Sequence, residues 1–407
     1  MMEDFAKRIS NEAASYPVDY YDDEEYIEEI DFLDKNLRKF GSGLSELMRK
    51  CGYTGSDDPT EKADYLDKSL KEIGVKFTKI TIKKWFANEN APKIQSDSRE
   101  KMFQICFALN ATVENTKWFF EHVYFDRCFN CRQLKEAAYL FCIKNNRTYD
   151  QALVLYEKAK KVIDNEDTED QNVCYTNYMY GKIKSIDSED KFIEYVKSGP
   201  QNFKTNNKHI LEEINKYIAE LSHPEHDKAA VSQIKAAHSN PEKKLPKNCG
   251  LILRWLYEVN SFEVFKDIIY NKDVTSNDFL ICAMTESKSG IHSDYIPPII
   301  KTNFPSKKTM SDIVEKKGVN SSYDAMRKLL ILLKFTSFWC NCKVADDLEY
   351  SQEELPDIFI EEADNILLNC GYAKLFWGNP YDWLFMHSAR AADPMSFMQG
   401  YVQLDVE

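Results

Sequence analysis

Apolar residues recur at intervals of three and four through most of the chain. The clearest cases are LKEAAYLFCIKNN (134–146), YDQALVLYEKAKKV (149–162), KHILEEINKYIAEL (208–221) and AMRKLLILLKFTSFW (325–339). That period winds an apolar stripe along one face of a helix. Convincing strand-like alternation is scarce, and the 13 glycines and 13 prolines fall mainly between the periodic segments. The pattern predicts an all-α protein.

Breaks fall near Gly52–Pro59, Asp164–Asp170, His238–Lys247 and Lys301–Lys308, and SNPEKKLPKNCG (239–250) reads as a linker. They divide the chain into an arm (1–36), a helical domain (37–126), a helical middle (127–240) and a C-terminal helical part (241–407). In the middle part, EAAYLFCIKNNRTYDQALVLYEKA (136–159) has small and aromatic residues placed as in one tetratricopeptide helix pair. A solenoid needs several such units, and a generic helical hairpin fits the same residues.

Within 37–126 the spacing is more specific. LSELMRKCGY (44–53) reads as a first helix. Tyr65, Leu66, Leu70 and Ile73 outline another, ending at Gly74, a residue suited to a left-handed cap. Thr78 can cap the next helix, which turns Ile82, Trp85 and Phe86 inward and Lys79, Lys83 and Lys84 outward. Asn88 to Pro92 end it. Asp97 or Ser98 starts a further apolar helix, REKMFQICFALN (99–110).

Charge sharpens the picture. The net charge is −13, which by itself disfavours a polyanion partner. Residues 1–34 hold 12 acids against 2 bases, however, so the other 373 residues carry only −3. Residues 68–101 hold 9 bases against 4 acids. Such asymmetry says more about partners than the total does. The acidic arm is either a solvated terminus or a screen over the basic segment.

Glycine turn, threonine-capped short helix, tryptophan, proline-containing loop and apolar helix together resemble the Cro/repressor-type (XRE-like) helix-turn-helix family. The matching residues are Gly74–Val75, Thr78, Thr81–Ile82, Lys84–Trp85, Pro92 and Ala108–Leu109, within about 70 of the 407 residues. The resemblance implies that the short helix lies in the major groove of double-stranded DNA. By position it implies that Thr78, Lys79, Thr81, Lys83 and Lys84 face DNA, while Ile82 and Trp85 fix the helix to its scaffold. The longer insertion TGSDDPTEKA (54–63) and the missing glutamine at the start of the middle helix depart from the family pattern.

The expectation is a DNA-binding transcriptional regulator whose helical remainder senses and dimerises. A small effector or peptide would sit near Tyr139, Tyr149, Tyr156, Tyr175 and Tyr178, residues equally explained as packing. The alternative is a helical protein-interaction scaffold that binds no nucleic acid. A second basic stretch, 304–335, has 7 bases against 3 acids, among them Lys316, Lys317, Arg327 and Lys328. It serves as a second polyanion surface or as the wet side of a buried helix.

The remaining chemistry is thin. Cys128 and Cys131 form a C-x-x-C pair about 200 residues from the C-x-C pair Cys340 and Cys342, too far apart in sequence for an ordinary zinc site. His223 and His226 lack the spacing that places two imidazoles on one helical face. Asp382, His387 and Arg390 have no nucleophile motif beside them, and no Walker loop, dinucleotide fingerprint or G-x-S-x-G occurs. The chain therefore reads as a non-enzyme with no cofactor and no metal. With acidic residues from Glu3 onward no secretory signal is expected, and the most apolar run, LLILLKFTSFWC (329–340), is too short for a bilayer and contains Lys334. With 11 scattered cysteines, a reducing cytoplasmic setting is expected.

Overall fold

A computed structural model describes residues 38–164, 176–203, 207–221, 323–344 and 351–390 (352 apart), with a few isolated positions beyond them. The acidic arm, His223, His226, Lys316, Lys317 and Tyr175 lie outside the described residues. Among the described residues there are thirteen α-helices and no strand, so the fold class is all-α.

In chain order the helices are α1 (Phe40–Lys50), α2 (Pro59–Glu72), α3 (Lys79–Phe86), α4 (Ser96–Ala108), α5 (Val113–Phe119), α6 (Leu134–Lys144), α7 (Tyr149–Asp164), α8 (Thr176–Ser185), α9 (Glu189–Ser198), α10 (Asn207–Leu221), α11 (Tyr323–Val344), α12 (Leu355–Asn369) and α13 (Pro380–Ser388). They form two compact bodies. The first holds α1–α9 together with the loop after α12; the second holds α10, α11, most of α12 and α13.

Five helix ends in the first body share one device. After α2, Gly74 takes φ +74°, its N–H donates to Lys71 O, and Val75 N–H donates to Leu70 O. This crossed pair of bonds satisfies carbonyls that the last turn leaves orphaned. The same pair recurs at Gly52, Asn88, Asn110 and Asn146, all at positive φ. Glycine and asparagine are the residues that tolerate this conformation. Starts are equally local. Asp58 accepts from Thr60 and Glu61 N–H at 2.9 Å each ahead of Pro59, and Thr112 accepts from Asn115 N–H at 3.2 Å. Two expected starts shift. The first helix begins at Phe40, which packs on Trp85, rather than at Leu44; α4 begins at Ser96, just ahead of the expected Asp97 or Ser98.

The core of the first body is aromatic. Phe103 packs against Phe120 at 4.5 Å and Tyr139 at 5.2 Å, and Phe107 against Tyr139 and Tyr149, both at 5.5 Å. Helices α6 and α7 pack on one another, and Ala137 and Ala138 of the first and Ala152 and Ala159 of the second are buried. Small side chains let the two backbones approach.

Arg99 of α4 is the main polar tie. Its guanidinium donates to both carboxylate oxygens of Glu136 (2.9 and 2.8 Å), to Asp126 (2.6 Å) and to Arg127 O (2.9 Å). Burial opposes its charge, but Glu136 and Asp126 outweigh burial and hold its pKa well above the ordinary arginine value. The loop after α12 joins the same region. Arg127 donates to Leu375 O at 2.7 Å, Arg132 to Leu368 O at 3.2 Å, and Asn379 to Asp126 at 3.4 Å.

The second body is organised by α11. Phe335 lies 5.3 Å from Phe359 and 5.2 Å from Phe385, and α10 packs alongside, with Glu220 accepting from Ser337 and Asn341. Arg327 forms a two-point ion pair with Asp382 at 2.6 and 2.8 Å, and Asp382 is buried. Of the two readings of the second basic stretch, Arg327 therefore fits internal packing, and Lys328 lies over the Tyr381 ring. No helix among the described residues is long and apolar enough to cross a membrane.

Candidate nucleic-acid interface

Helix α3 is eight residues, KITIKKWF, and each of its sides has a distinct role. Ile82, Trp85 and Phe86 are buried. The Trp85 ring meets Phe40 edge-on at 5.6 Å and Phe77 at 5.7 Å, and the Lys62 ammonium sits 5.7 Å over Phe86. Helix α3 packs against α1 and α2, and α2 in turn packs on α4.

Gly41 sets how closely α1 approaches α3. A Cβ there would lie 2.1 Å from the carbonyl oxygen of Trp85 and 2.9 Å from Asn88 Oδ1, which already accepts from Gly41 N–H at 3.1 Å. Gly43 plays the same part toward Val123, whose two methyls would stand 2.5 Å from an added Cβ. Helix propensity alone favours alanine over glycine by about 1 kcal/mol. Overpacking against a backbone carbonyl, which cannot rotate aside, costs about 1–3 kcal/mol or more. Gly41→Ala is therefore expected to lower the unfolding midpoint. Gly181→Ala, in α8 with nothing within 4 Å of the added carbon, should raise it. An equal response at the two sites in thermal unfolding would show that Gly41 is not sterically required.

The outer side of α3 holds the residues that the resemblance assigned to DNA. Thr78, Lys79, Lys83 and Lys84 are exposed and Thr81 is half-buried. Thr78 caps the helix, accepting from Thr81 N–H at 3.4 Å, and its hydroxyl is 2.6 Å from the Thr81 hydroxyl. These two side chains thus hold one another as well as the helix start. Lys79 pairs with Asp64 of α2 at 2.7 Å. Their hydrogen bond lowers the Asp64 carboxyl below its ordinary range and raises the Lys79 ammonium above its own. As an exposed pair it is weak and screened by salt. Lys83 and Lys84 stand one turn further on. Ile80 joins them at i−3 and i−4, the spacing that places side chains on one helical face. Its position off the Ile82–Trp85–Phe86 stripe is readable from the sequence, yet its exposure shows only once the packing is known.

The other candidate residues have varied surroundings. Cys131 is buried and Cys128 half-buried, and desolvation pushes both thiols above their usual pKa, so they stay protonated. Arg127 and Arg132, which flank them in sequence, direct their guanidiniums at backbone carbonyls instead. Among the described residues no three His, Cys, Asp or Glu side chains are grouped to hold a metal ion. Tyr139 and Tyr149 are buried and both donate to Glu100, and Gln104 donates to Tyr149 at 2.9 Å. Tyr156 is half-buried and Tyr178 exposed. The His387 ring stacks on Trp383 at 4.6 Å.

Comparison with protein families, curated proteins and solved structures finds no match to this chain. The class that the described residues define is an all-helical protein with a basic, threonine-capped short helix held by its aromatic side.

Proposed function

We propose that α1–α5 form a head that binds double-stranded DNA through the outer face of α3. The helical remainder would serve as the sensing and dimerisation region of a transcriptional regulator. The observation that carries the reading is the two-sidedness of α3. Its aromatic side is locked onto α1 and α2, while Lys79, Ile80, Lys83 and Lys84 are exposed. A rigid cationic rod of two turns, backed by a longer helix, is the shape that enters a major groove. Phosphate contacts would supply affinity and position.

Counterion release gives the test. Neutralising about 4–6 phosphates makes log K fall with log salt at a slope near −4 to −5. The double variant Lys83→Ala, Lys84→Ala should flatten that slope by about 2 while leaving the fold intact, because both side chains are exposed. Affinity of the full chain for random duplex DNA across a salt series measures this directly. Absence of binding at low salt, or binding that ignores salt, sinks the reading.

One observation favours the alternative, a helical protein-interaction scaffold. Lys79 is already engaged by Asp64, so part of the positive face is neutralised within the head. Effector binding in the middle region also remains a proposal. Tyr139 and Tyr149 donate their hydroxyls to Glu100, which leaves Tyr156 and Tyr178 as the more accessible among the described members of the group.

A further inference from the structure

The outer face of α3 carries one residue that neither charge nor packing explains. Ile80 is 71% exposed, well above Tyr65, Val154 and Tyr178, the other exposed large apolar side chains among the described residues. It is β-branched, which lowers its fitness for a helix, and it gains no burial in return. It lies in the first turn, with Lys79 beside it and Lys83 and Lys84 one turn on.

Charge decides between possible occupants of this spot. A second copy of the same face would bring lysines against lysines. A single isoleucine on a face with three exposed lysines is also far below the contiguous apolar area that marks a protein-docking patch. The floor of a major groove fits better, because phosphates line both walls and the base edges between them include one apolar group, the C5 methyl of thymine. Thr78 and Thr81 flank Ile80 in sequence but bond to one another. Ile80 is thus the first-turn side chain suited to a contact without hydrogen bonds.

We propose that Ile80 reads a thymine methyl in the major groove of duplex DNA. The proposal rests on the DNA-binding reading above and adds a base preference to it. Duplexes are selected from a random pool with the full-length chain at low salt. In the tightest binder, each thymine is then replaced in turn by deoxyuridine, which lacks only the methyl. The expected result is one thymine position, or one per half-site, at which the replacement weakens binding about fourfold, the worth of one buried methyl. In Ile80→Ala this discrimination disappears while the salt slope is unchanged, because no charge is lost; Ile80→Val retains part of it. Equal affinity for thymine and deoxyuridine at every position overturns the proposal. So does discrimination that survives in Ile80→Ala, or a change in sedimenting mass in that variant, which would mark a protein contact. In each of these cases salt-dependent DNA binding stands. A pool that yields no salt-dependent binder at all overturns the DNA-binding reading itself, and this proposal with it.

Discussion

Arg99→Ala should lose about 3–5 kcal/mol of unfolding free energy, the range seen when one partner of a buried ion pair is removed. The loss does not come from the attraction alone. Arg99 holds two carboxylates, and truncation leaves Glu136 and Asp126 facing each other in a poorly solvated site without their cation. Glu136 keeps the Asn130 N–H at 2.6 Å, and Asp126 keeps the Arg127 N–H at 2.8 Å and the Asn379 amide at 3.4 Å. Arg99→Lys should recover less than half of the loss, because an ammonium cannot make the two parallel bonds to Glu136 that the planar guanidinium makes. Urea unfolding of the full chain is the measurement. A loss below 1 kcal/mol would show that water reaches this cluster freely. The consequence extends beyond stability, since Arg99 joins α4 of the head to Glu136 of α6 and thereby fixes the head to the helices that follow.

Trp85→Ala is expected to cost about 3–5 kcal/mol, the usual range for truncating a buried tryptophan or phenylalanine. The indole is buried at the junction of α1, α3 and the turn before α3, with Phe40 and Phe77 at its edges. The glycine at position 41 lets α1 press against the Trp85 carbonyl, so the surroundings can collapse little into the space. This variant also discriminates between scaffold and interface. Lys83→Ala, Lys84→Ala should leave the unfolding midpoint near that of the parent and change only the salt dependence of DNA binding. Trp85→Ala should lower both the midpoint and the affinity, because α3 loses its anchor. Should Trp85→Ala unfold at the parental urea concentration, the tryptophan is not the anchor that its burial indicates.

The head was legible to an unusual depth because its signals are short-range. Gly74, Thr78 and the Asn88–Pro92 break are read within one helical turn of where they act, and the structure uses Gly74 and Thr78 as expected. Asn88 adds the left-handed cap that ends α3. The inward set Ile82, Trp85 and Phe86 follows from the 3.6 period. Legibility failed where a side chain had two plausible partners. Arg127 and Arg132 lie beside two cysteines in sequence, yet they reach carbonyls of Leu375 and Leu368, more than 230 positions away. Tyr139 and Tyr149 fit a groove as well as a core until Glu100 is seen to bind both. Ile80 does not stand out in the sequence, because an amphipathic pattern ranks residues by the buried stripe and is silent about what sits on the other side.

What this sequence determined alone was its helical class, its punctuation and the direction each amphipathic face must point. Those depend on backbone sterics and on residues three or four positions apart, which a linear string displays. Which cations are spent inside the protein and which stay open was decided only in three dimensions. Arg327 is consumed by Asp382 and Arg99 by Glu136, while Lys83 and Lys84 remain exposed. A charged side chain reports its chemistry in the sequence, but its partner is fixed by chain segments that meet only after the helices pack, and the energy of a charge depends on that partner and on how much water is left around it.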